Sequence, residues 1–154
     1  MTPFKVMDFG SLKALYSENG ENLPTVCLLH GYGADFQDLA GIAMDHPNRE
    51  DFNWVFPQAP LSVFGMGRAW FPITQKEMES IDSSKGGIGW EDRIPEGIFE
   101  AQEALTSCLK ELGVPNNSLI LGGFSKGSVM AVDYALRQSL SLLGLVIFSG
   151  TICM

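Results

Sequence analysis

Four short runs of almost purely apolar residues most constrain the fold of this chain. They are Thr25–Leu29, Trp54–Phe56, Leu119–Leu121 and Leu143–Phe148. A strand that is buried on both faces gives such a continuous run, whereas a strand with one solvated face alternates apolar and polar residues. The four runs therefore predict strands of a parallel sheet that is covered by helices.

Segments with helical periodicity lie between these runs, at 36–44, 95–112 and 125–138. In the middle segment the apolar residues recur on one stripe, and the charged residues lie on the opposite face. Gly113 and Pro115 follow that segment as stop signals. The chain thus alternates predicted strands with predicted helices.

An earlier pair of segments, Phe4–Phe9 and Leu12–Tyr16, is divided by Gly10-Ser11 and predicts a hairpin at an antiparallel edge. Alternating strands and helices with crossovers of this length predict an α/β fold, a three-layer sandwich with a mostly parallel sheet. Ligand sites of such sheets lie at the carboxyl ends of the strands. The chain length of 154 residues fits a single domain over 1–154.

Composition excludes several classes of function. A formal net charge of -8 argues against a nucleic-acid partner and against an acidic lipid surface. No apolar run approaches the roughly 20 residues of a membrane span, and the N-terminus lacks the apolar core of a signal peptide, so we expect a cytoplasmic chain. Cys27, Cys108 and Cys153 show neither a disulfide framework nor metal-ligand spacing. We expect reduced thiols, two of them in the core.

The clearest chemical signal is the segment Gly123-Phe-Ser125-Lys-Gly127, a G-x-S-x-G pattern between an apolar strand and a helix. Such an elbow holds its serine in a strained conformation, and its glycines let strand and helix approach without a Cβ clash. The helix N-terminus then offers amide groups to negative charge that develops in acyl transfer. The pattern predicts Ser125 as a nucleophile, and the alternative is a glycine-rich turn with a capping serine.

A second glycine-rich turn, His30-Gly31-Tyr32-Gly33, follows the predicted strand at 25–29. Glycines there allow the backbone to aim an amide N–H at a neighbouring oxyanion. Together, the segments LLHGYGAD, WVFPQAP, GRAWF and LGGFSKGS, in this order and at these spacings, resemble the phospholipase/carboxylesterase family of α/β-hydrolases, which includes the acyl-protein thioesterases. The resemblance extends over nearly the whole chain.

This resemblance implies a serine carboxylesterase or thioesterase that hydrolyses an acyl ester or lipid-like substrate through an acyl-enzyme on Ser125, without a metal or an organic cofactor. It assigns the backbone N–H groups of Tyr32 and Lys126 to the oxyanion hole. The family commonly has Gln at the position of Lys126 and Gly at that of Ser128. Because the role at 126 is a backbone role, the exchange preserves it, but a cation beside the nucleophile is expected to bear on substrate preference or on activation.

The connection at 58–94 is too long for an ordinary loop and is rich in aromatic residues. We expect its large side chains to build an ordered wall; they are Phe64, Met66, Trp70, Phe71 and Trp90. The resemblance places Trp70 and Phe71 at the acyl pocket. The alternative is that these two side chains only anchor the loop.

Three polar residues near the motifs are interpreted as structural. His30 precedes Gly31 and is expected to shape the oxyanion loop rather than to act as a base. Asp35 is expected to cap a helix that begins at Phe36. His46, in a polar stretch, is expected to lie at the surface.

The partners of a catalytic serine are not evident after Ser125. The chain order of α/β-hydrolases is nucleophile, acid, histidine, but residues 126–154 contain no histidine, and their one carboxylate, Asp133, is carried away from the elbow by the helix. We therefore expect a fold that is incomplete at its C-terminal side and a chain that is a weak esterase or inactive. The strand at 143–148 would form an uncovered apolar edge, which predicts a homo-oligomer or pairing with another chain.

Two rival functions come from other classes. A nucleotide-binding protein would also carry glycine-rich turns, but the turn at 31–36 lacks the third glycine of a dinucleotide fingerprint, and Lys126-Gly127-Ser128 differs from the end of a phosphate loop. The stronger rival is a non-catalytic binding or interaction protein, a remnant of an esterase scaffold. The absent base and acid favour that rival.

Overall fold

The computed structural model describes residues 1–63, 65, 67–75 and 94–150 of the chain. Three strands precede the first helix in these ranges, and strands and helices alternate after it, with a short hairpin before the second helix. They are β1 Lys5–Phe9, β2 Leu12–Ser17, β3 Thr25–Leu29, α1 Ala40–Asp45, β4 Asn53–Pro57, β5 Leu61–Val63, β6 Gly67–Ala69, α2 Ile98–Leu112, β7 Leu119–Phe124, α3 Lys126–Arg137 and β8 Gly144–Phe148. Short 3-10 turns at Arg49–Asp51 and Asn116–Ser118 precede β4 and β7.

The described residues form one six-stranded sheet with the strand order β1-β2-β4-β3-β7-β8. β1 pairs with β2, and β2 with β4, in antiparallel fashion, while β4, β3, β7 and β8 run parallel to one another. The predicted antiparallel edge and the mostly parallel sheet are therefore confirmed. Because β3 and β7 are parallel neighbours, the segments that leave their carboxyl ends lie side by side.

Alternation along the central strands divides the core between two faces of the sheet. Val26 and Leu28 of β3 pack on the side of α1, with Trp54 and Phe56. Cys27 and Leu29 point to the opposite side, where α2 and α3 bury a larger cluster. Helices thus cover both faces, and the three-layer α/β architecture predicted from the apolar runs is confirmed within the described ranges.

The predicted helix at 36–44 is partly wrong, because α1 begins only at Ala40. The four preceding residues form turns in which Asp side chains capture backbone amides: Gln37 N–H donates to Asp35 Oδ1 over 2.7 Å, and Asp35 N–H donates to Asp38 Oδ2 over 2.9 Å. Local side-chain bonds of this kind compete with helical ones. Asp35 therefore stabilises a turn and is not the helix cap that we predicted.

The long connection at 58–94 contains a short hairpin that sequence analysis did not predict. Its strands β5 and β6 pair antiparallel, from Leu61 opposite Ala69 to Val63 opposite Gly67. Phe64, Met66 and Trp90, three members of the predicted wall, lie outside the described residues. Cys153 lies outside them as well, whereas Cys27 and Cys108 are free thiols in the core, as predicted.

Candidate active site

Ser125 lies at the junction between β7 and α3, in a backbone conformation that side-chain-bearing residues rarely adopt. Its φ of 53° and ψ of -117° fall outside the ordinary allowed regions. Such strain costs on the order of 1–3 kcal/mol and persists only where the surroundings impose it. Two backbone bonds do so here: Ser125 N–H donates to the Phe148 carbonyl over 2.9 Å, and Val129 N–H donates to the Ser125 carbonyl over 3.1 Å. The predicted strand, turn and helix around the serine are present.

The two elbow glycines occupy places where the backbones of α3, β3 and β7 nearly touch. A Cβ on Gly127 would come within 2.0 Å of the Leu29 carbonyl oxygen, and one on Gly123 within 2.5 Å of the Gly127 carbonyl carbon. Real Cβ atoms do not approach backbone this closely, so both positions exclude any larger residue without a shift of the helix. This close approach brings the N-terminus of α3 against the carboxyl end of β3.

The turn after β3 lies beside Ser125, because Leu29 is paired with Gly123 in the sheet. A Cβ built on Gly31 would lie 3.7 Å from the Ser125 Cβ. Among the described residues, the Tyr32 amide donates to no other backbone group, whereas the next two amides do: Gly33 N–H to the Arg68 carbonyl and Ala34 N–H to the Gly31 carbonyl. The structure thus places Tyr32 and Lys126 near Ser125, and the oxyanion role assigned to them stays a prediction.

His30 is buried under the turn, and both of its ring nitrogens are used. Ala59 N–H donates to Nε2 over 3.0 Å, which makes Nε2 the acceptor, and Nδ1 lies 2.8 Å from the Gly31 carbonyl, to which it donates. Burial lowers the pKa of His30 below 6.5, which favours the neutral ring. The prediction that His30 shapes the loop agrees with these contacts, and they leave no nitrogen to accept a proton from Ser125.

Arg68 on β6 holds the same turn from the outside, a contribution that sequence analysis missed. Its carbonyl accepts from Gly33 N–H and its N–H donates to the Ala34 carbonyl, both over 2.8 Å. Its guanidinium spans the hairpin by donating to the carbonyls of Ala59 and Pro60 and to Ser62 Oγ, over 2.7–2.9 Å. In the sequence, only its place within the segment GRAWF indicates that Arg68 is important. Its contacts with the turn at 33–34 cannot be predicted, because the two segments are far apart along the chain.

Trp70 and Phe71 are almost wholly enclosed, with exposed fractions of 1% and 0%. Trp70 Nε1 donates to the His30 carbonyl over 3.0 Å, and its ring lies 5.7 Å from that of His30. These contacts are those of side chains that anchor the connection at 58–94, which is the alternative given in the sequence analysis. A role in lining the acyl pocket stays a prediction, and it requires these side chains to become exposed.

The Lys126 side chain is folded inward from the first position of α3. The residue is 7% exposed. Its Nζ lies 5.0 Å from the ring centroid of Tyr32 and 4.6 Å from that of Phe71. A cation at a helix N-terminus opposes the helix dipole, and burial adds a desolvation cost. The two aromatic faces offset part of both, because the negative face of a ring attracts a cation.

The remaining titratable residues that the sequence singled out are engaged elsewhere. Asp133 is 3% exposed and accepts from Gln102 Nε2 and, over 2.8 Å, from Arg137 Nε. His46 is half-buried rather than at the surface as predicted, because its ring packs against Phe52 and Trp54, with centroids 5.8 and 5.9 Å away. Neither residue contacts the elbow.

Within the described ranges, no three His, Cys, Asp or Glu side chains lie close enough together to hold a metal ion. None of the helices in those ranges has the length and apolar character needed to cross a bilayer.

Comparison with known proteins agrees with this arrangement. Residues 12–154 match the family model described as Phospholipase/Carboxylesterase. The chain is 31% identical over 137 residues to acyl-protein thioesterase 1 of Yarrowia lipolytica, with 82% of this chain and 56% of that relative covered. It is 27% identical to acyl-protein thioesterase 1 of Cryptococcus neoformans, with 90% of this chain and 59% of that relative covered. The chain thus spans less than two thirds of the length of these relatives.

Solved structures with the same fold include hydrolases. The crystal structure of esterase PE8 is 27% identical and superposes with a TM-score of 0.65, covering 98% of this chain and 66% of that one. A carboxylesterase from Mesorhizobium loti is 14% identical but superposes with a TM-score of 0.75, with the same coverage, which shows the shared fold. The elbow, the turn beside it and the match over 12–154 agree: this chain belongs to the phospholipase/carboxylesterase family of α/β-hydrolases.

Proposed function

We propose that this chain carries the nucleophile and the oxyanion hole of a serine esterase or thioesterase. The observation that carries the proposal is the strained φ of 53° at Ser125, held at the N-terminus of α3 beside the turn that contains Tyr32. Strain of this kind concentrates at functional sites. A capping serine in an ordinary turn does not require it.

The chemistry assigned to these residues is acyl transfer. Ser125 Oγ attacks the acyl carbon of an ester or thioester and loses its proton to a base, and the carbonyl oxygen becomes an oxyanion. The N–H groups of Tyr32 and Lys126 donate to that oxyanion, with the dipole of α3 adding to the stabilisation. Collapse of the intermediate breaks the bond to the alcohol or thiol, and water then releases the acid from the acyl-enzyme.

The general base does not come from either histidine of this chain. The sequence contains two: His30 uses both ring nitrogens in the loop, and His46 packs against Phe52 and Trp54. Loss of a triad member typically lowers the rate by roughly 10⁴-fold or more. We therefore propose that residues 1–154 alone acylate slowly at Ser125 and turn over esters poorly.

A fluorophosphonate probe followed by intact-mass measurement tests this proposal. We expect a single adduct that forms slowly, that is lost in Ser125→Ala and that persists in the control Ser141→Ala, an exposed serine after α3. Imidazole in the buffer should accelerate the labelling, because it supplies the missing base. An adduct that survives in Ser125→Ala would overturn the assignment of Ser125 as the nucleophile. Ester turnover by this chain at an ordinary enzymatic rate would overturn the proposal that residues 1–154 supply no general base.

The second candidate is a binding or interaction protein on the same scaffold, favoured by the engagement of His30, His46 and Asp133 in other contacts. It predicts no Ser125-dependent adduct at any imidazole concentration. The same measurement therefore separates the two candidates.

A further inference from the structure

The two residues whose backbone N–H groups are assigned to the oxyanion hole also contact each other through their side chains. Lys126 begins α3, and Tyr32 lies in the turn after β3, so no backbone element joins them directly. The Lys126 Nζ lies 5.0 Å from the centroid of the Tyr32 ring. A side-chain contact therefore joins the turn after β3 to the first residue of α3.

Phe71 completes the arrangement from a third segment. Its ring centroid is 4.6 Å from the Lys126 Nζ, and the residue is 0% exposed. Its neighbour Trp70 is bonded to the His30 carbonyl. Phe71 is therefore a fixed face, whereas Tyr32 is half-buried at the edge of the site. The ammonium group thus contacts one enclosed ring and one ring at the edge of the site.

We propose that the Lys126 side chain is a positioning group: held between the rings of Tyr32 and Phe71, it fixes the Tyr32 turn against α3 and so sets the separation of the two oxyanion N–H groups. This inference rests on the proposed function. A catalytic N–H acts only when it is aimed at the developing charge, and a small misplacement of such a donor costs up to about 10²-fold in rate.

The competing use of this cation is direct attraction of an anionic substrate. Burial disfavours it, because Lys126 is 7% exposed and its Nζ lies within 5.0 Å of two ring centroids. A substrate carboxylate would have to reach a side chain that is nearly enclosed. The two uses differ in their dependence on substrate charge, which the experiment exploits.

The test compares variants of the whole chain by the rate of Ser125-dependent fluorophosphonate labelling at a fixed imidazole concentration. Lys126→Met removes the charge at similar length, and Tyr32→Leu removes the ring. Each should slow labelling by about tenfold. The double variant should be no slower than Lys126→Met alone, because the contact that Tyr32→Leu removes is already absent in Lys126→Met. Lys126→Arg should recover most of the rate, since a guanidinium also binds ring faces.

The contact between the Arg137 guanidinium and the Phe99 ring, 5.3 Å apart at the other end of α3, provides a matched control. Phe99→Leu removes the ring of this contact, keeps the bond from Arg137 to the buried Asp133, and should leave the labelling rate within about twofold. If Lys126→Met is poorly folded, Lys126→Gln serves as the second neutral variant. Independent, fully additive losses would overturn the proposal, as would a loss confined to negatively charged probes.

A second readout does not depend on labelling. In the assigned ¹H–¹⁵N spectrum, Lys126→Met should shift the Tyr32 amide. In the proton spectrum, Tyr32→Leu should reduce the upfield ring-current shift of the Lys126 side-chain protons, and the part that comes from the Phe71 ring should remain. Phe99→Leu should do neither. An unchanged Tyr32 amide would overturn the positioning role even if Ser125 is labelled, whereas an unlabelled Ser125 with these shifts present would overturn only the proposed function.

Discussion

At the scale of single residues, His30 connects the chemistry of the site with the stability of its loop. Its imidazole accepts from Ala59 N–H and donates to the Gly31 carbonyl, and its own carbonyl accepts from Trp70. A histidine so close to the nucleophile in the fold is a natural candidate for the general base. Its bonds show instead a neutral group that joins β3 to the connection at 58–94.

Because burial lowers the pKa of His30, the stability of the fold should depend on pH. The unfolded chain binds the proton near pH 6.5 and the folded chain only at a lower pH. The stability that the neutral, buried His30 ring gives to the fold is therefore fully present above pH 6.5. It is lost as the pH falls from there toward the pKa of His30 in the folded chain. One proton gives a slope of at most about 1.4 kcal/mol per pH unit.

Urea unfolding at a series of pH values between 5 and 8 measures this dependence. His30→Gln keeps a neutral acceptor for Ala59 N–H and should flatten the curve below pH 6.5. His46→Gln, which removes the other histidine, should retain the slope. Equal slopes in the protein and in His30→Gln would show that another group is responsible.

At the scale of elements, the hairpin β5–β6 has the largest effect on the site among the features that the sequence did not predict. Its strand β6 pairs with the turn after β3 through Arg68 and Ala34. Gly67 has a φ of 99°, and a Cβ there would come within 2.4 Å of the Gly33 carbonyl oxygen. The missing side chain of Gly67 thus allows the hairpin to approach the turn after β3, and the bonds of Arg68 hold the two together.

Arg68→Ala should lower the free energy of unfolding by about 2 kcal/mol, because three guanidinium bonds are lost while the backbone pairing remains. Arg68→Lys should lose about half as much, since an ammonium cannot span three acceptors in one plane. Chemical denaturation measures both values. A loss in Arg68→Lys as large as that in Arg68→Ala would indicate that the charge geometry is unimportant.

The contrast between what the sequence predicted and what it missed has a physical cause. The strands at 25–29 and 119–121 were predicted from continuous apolar runs, the second of them shorter than the observed β7, and the parallel arrangement then brought Ser125 and the turn at 30–33 together. Those inferences use local patterns and one general rule of sheets. The late start of α1, the bonds of Arg68 and the cation between two rings depend on partners far along the chain or on competition between local bonds, and no periodicity reports them.

At the scale of the whole molecule, the two outer strands of the described sheet differ in their protection. β1 carries Lys5 and Asp8, and Asp8 Oδ1 accepts from Lys13 Nζ over 3.1 Å. β8 has the sequence GLVIF, with no charge. Charged residues on an edge discourage pairing with a second chain, whereas a flat apolar edge invites it.

The exposed residues of β8 strengthen this contrast on both faces of the strand. Leu145 and Ile147 are 41% and 49% exposed. On the α1 side, Val146 and Phe148 border an apolar groove of about 240 Å³, which Trp54 also lines. We therefore expect this chain in isolation to self-associate, with contacts through β8 and not through β1.

Sedimentation velocity over a range of concentrations tests this expectation. Ile147→Lys places a charge on the outer strand and should shift the distribution toward monomer. Val6→Lys, at a position on β1 that is 57% exposed against 49% for Ile147, should leave it unchanged. The same shift in both variants would mean that added charge alone, and not the edge, governs association. A wild-type chain that stays monomeric at every concentration would contradict the expected self-association. It would show that the twist or the short length of β8 is enough to prevent pairing with a second chain.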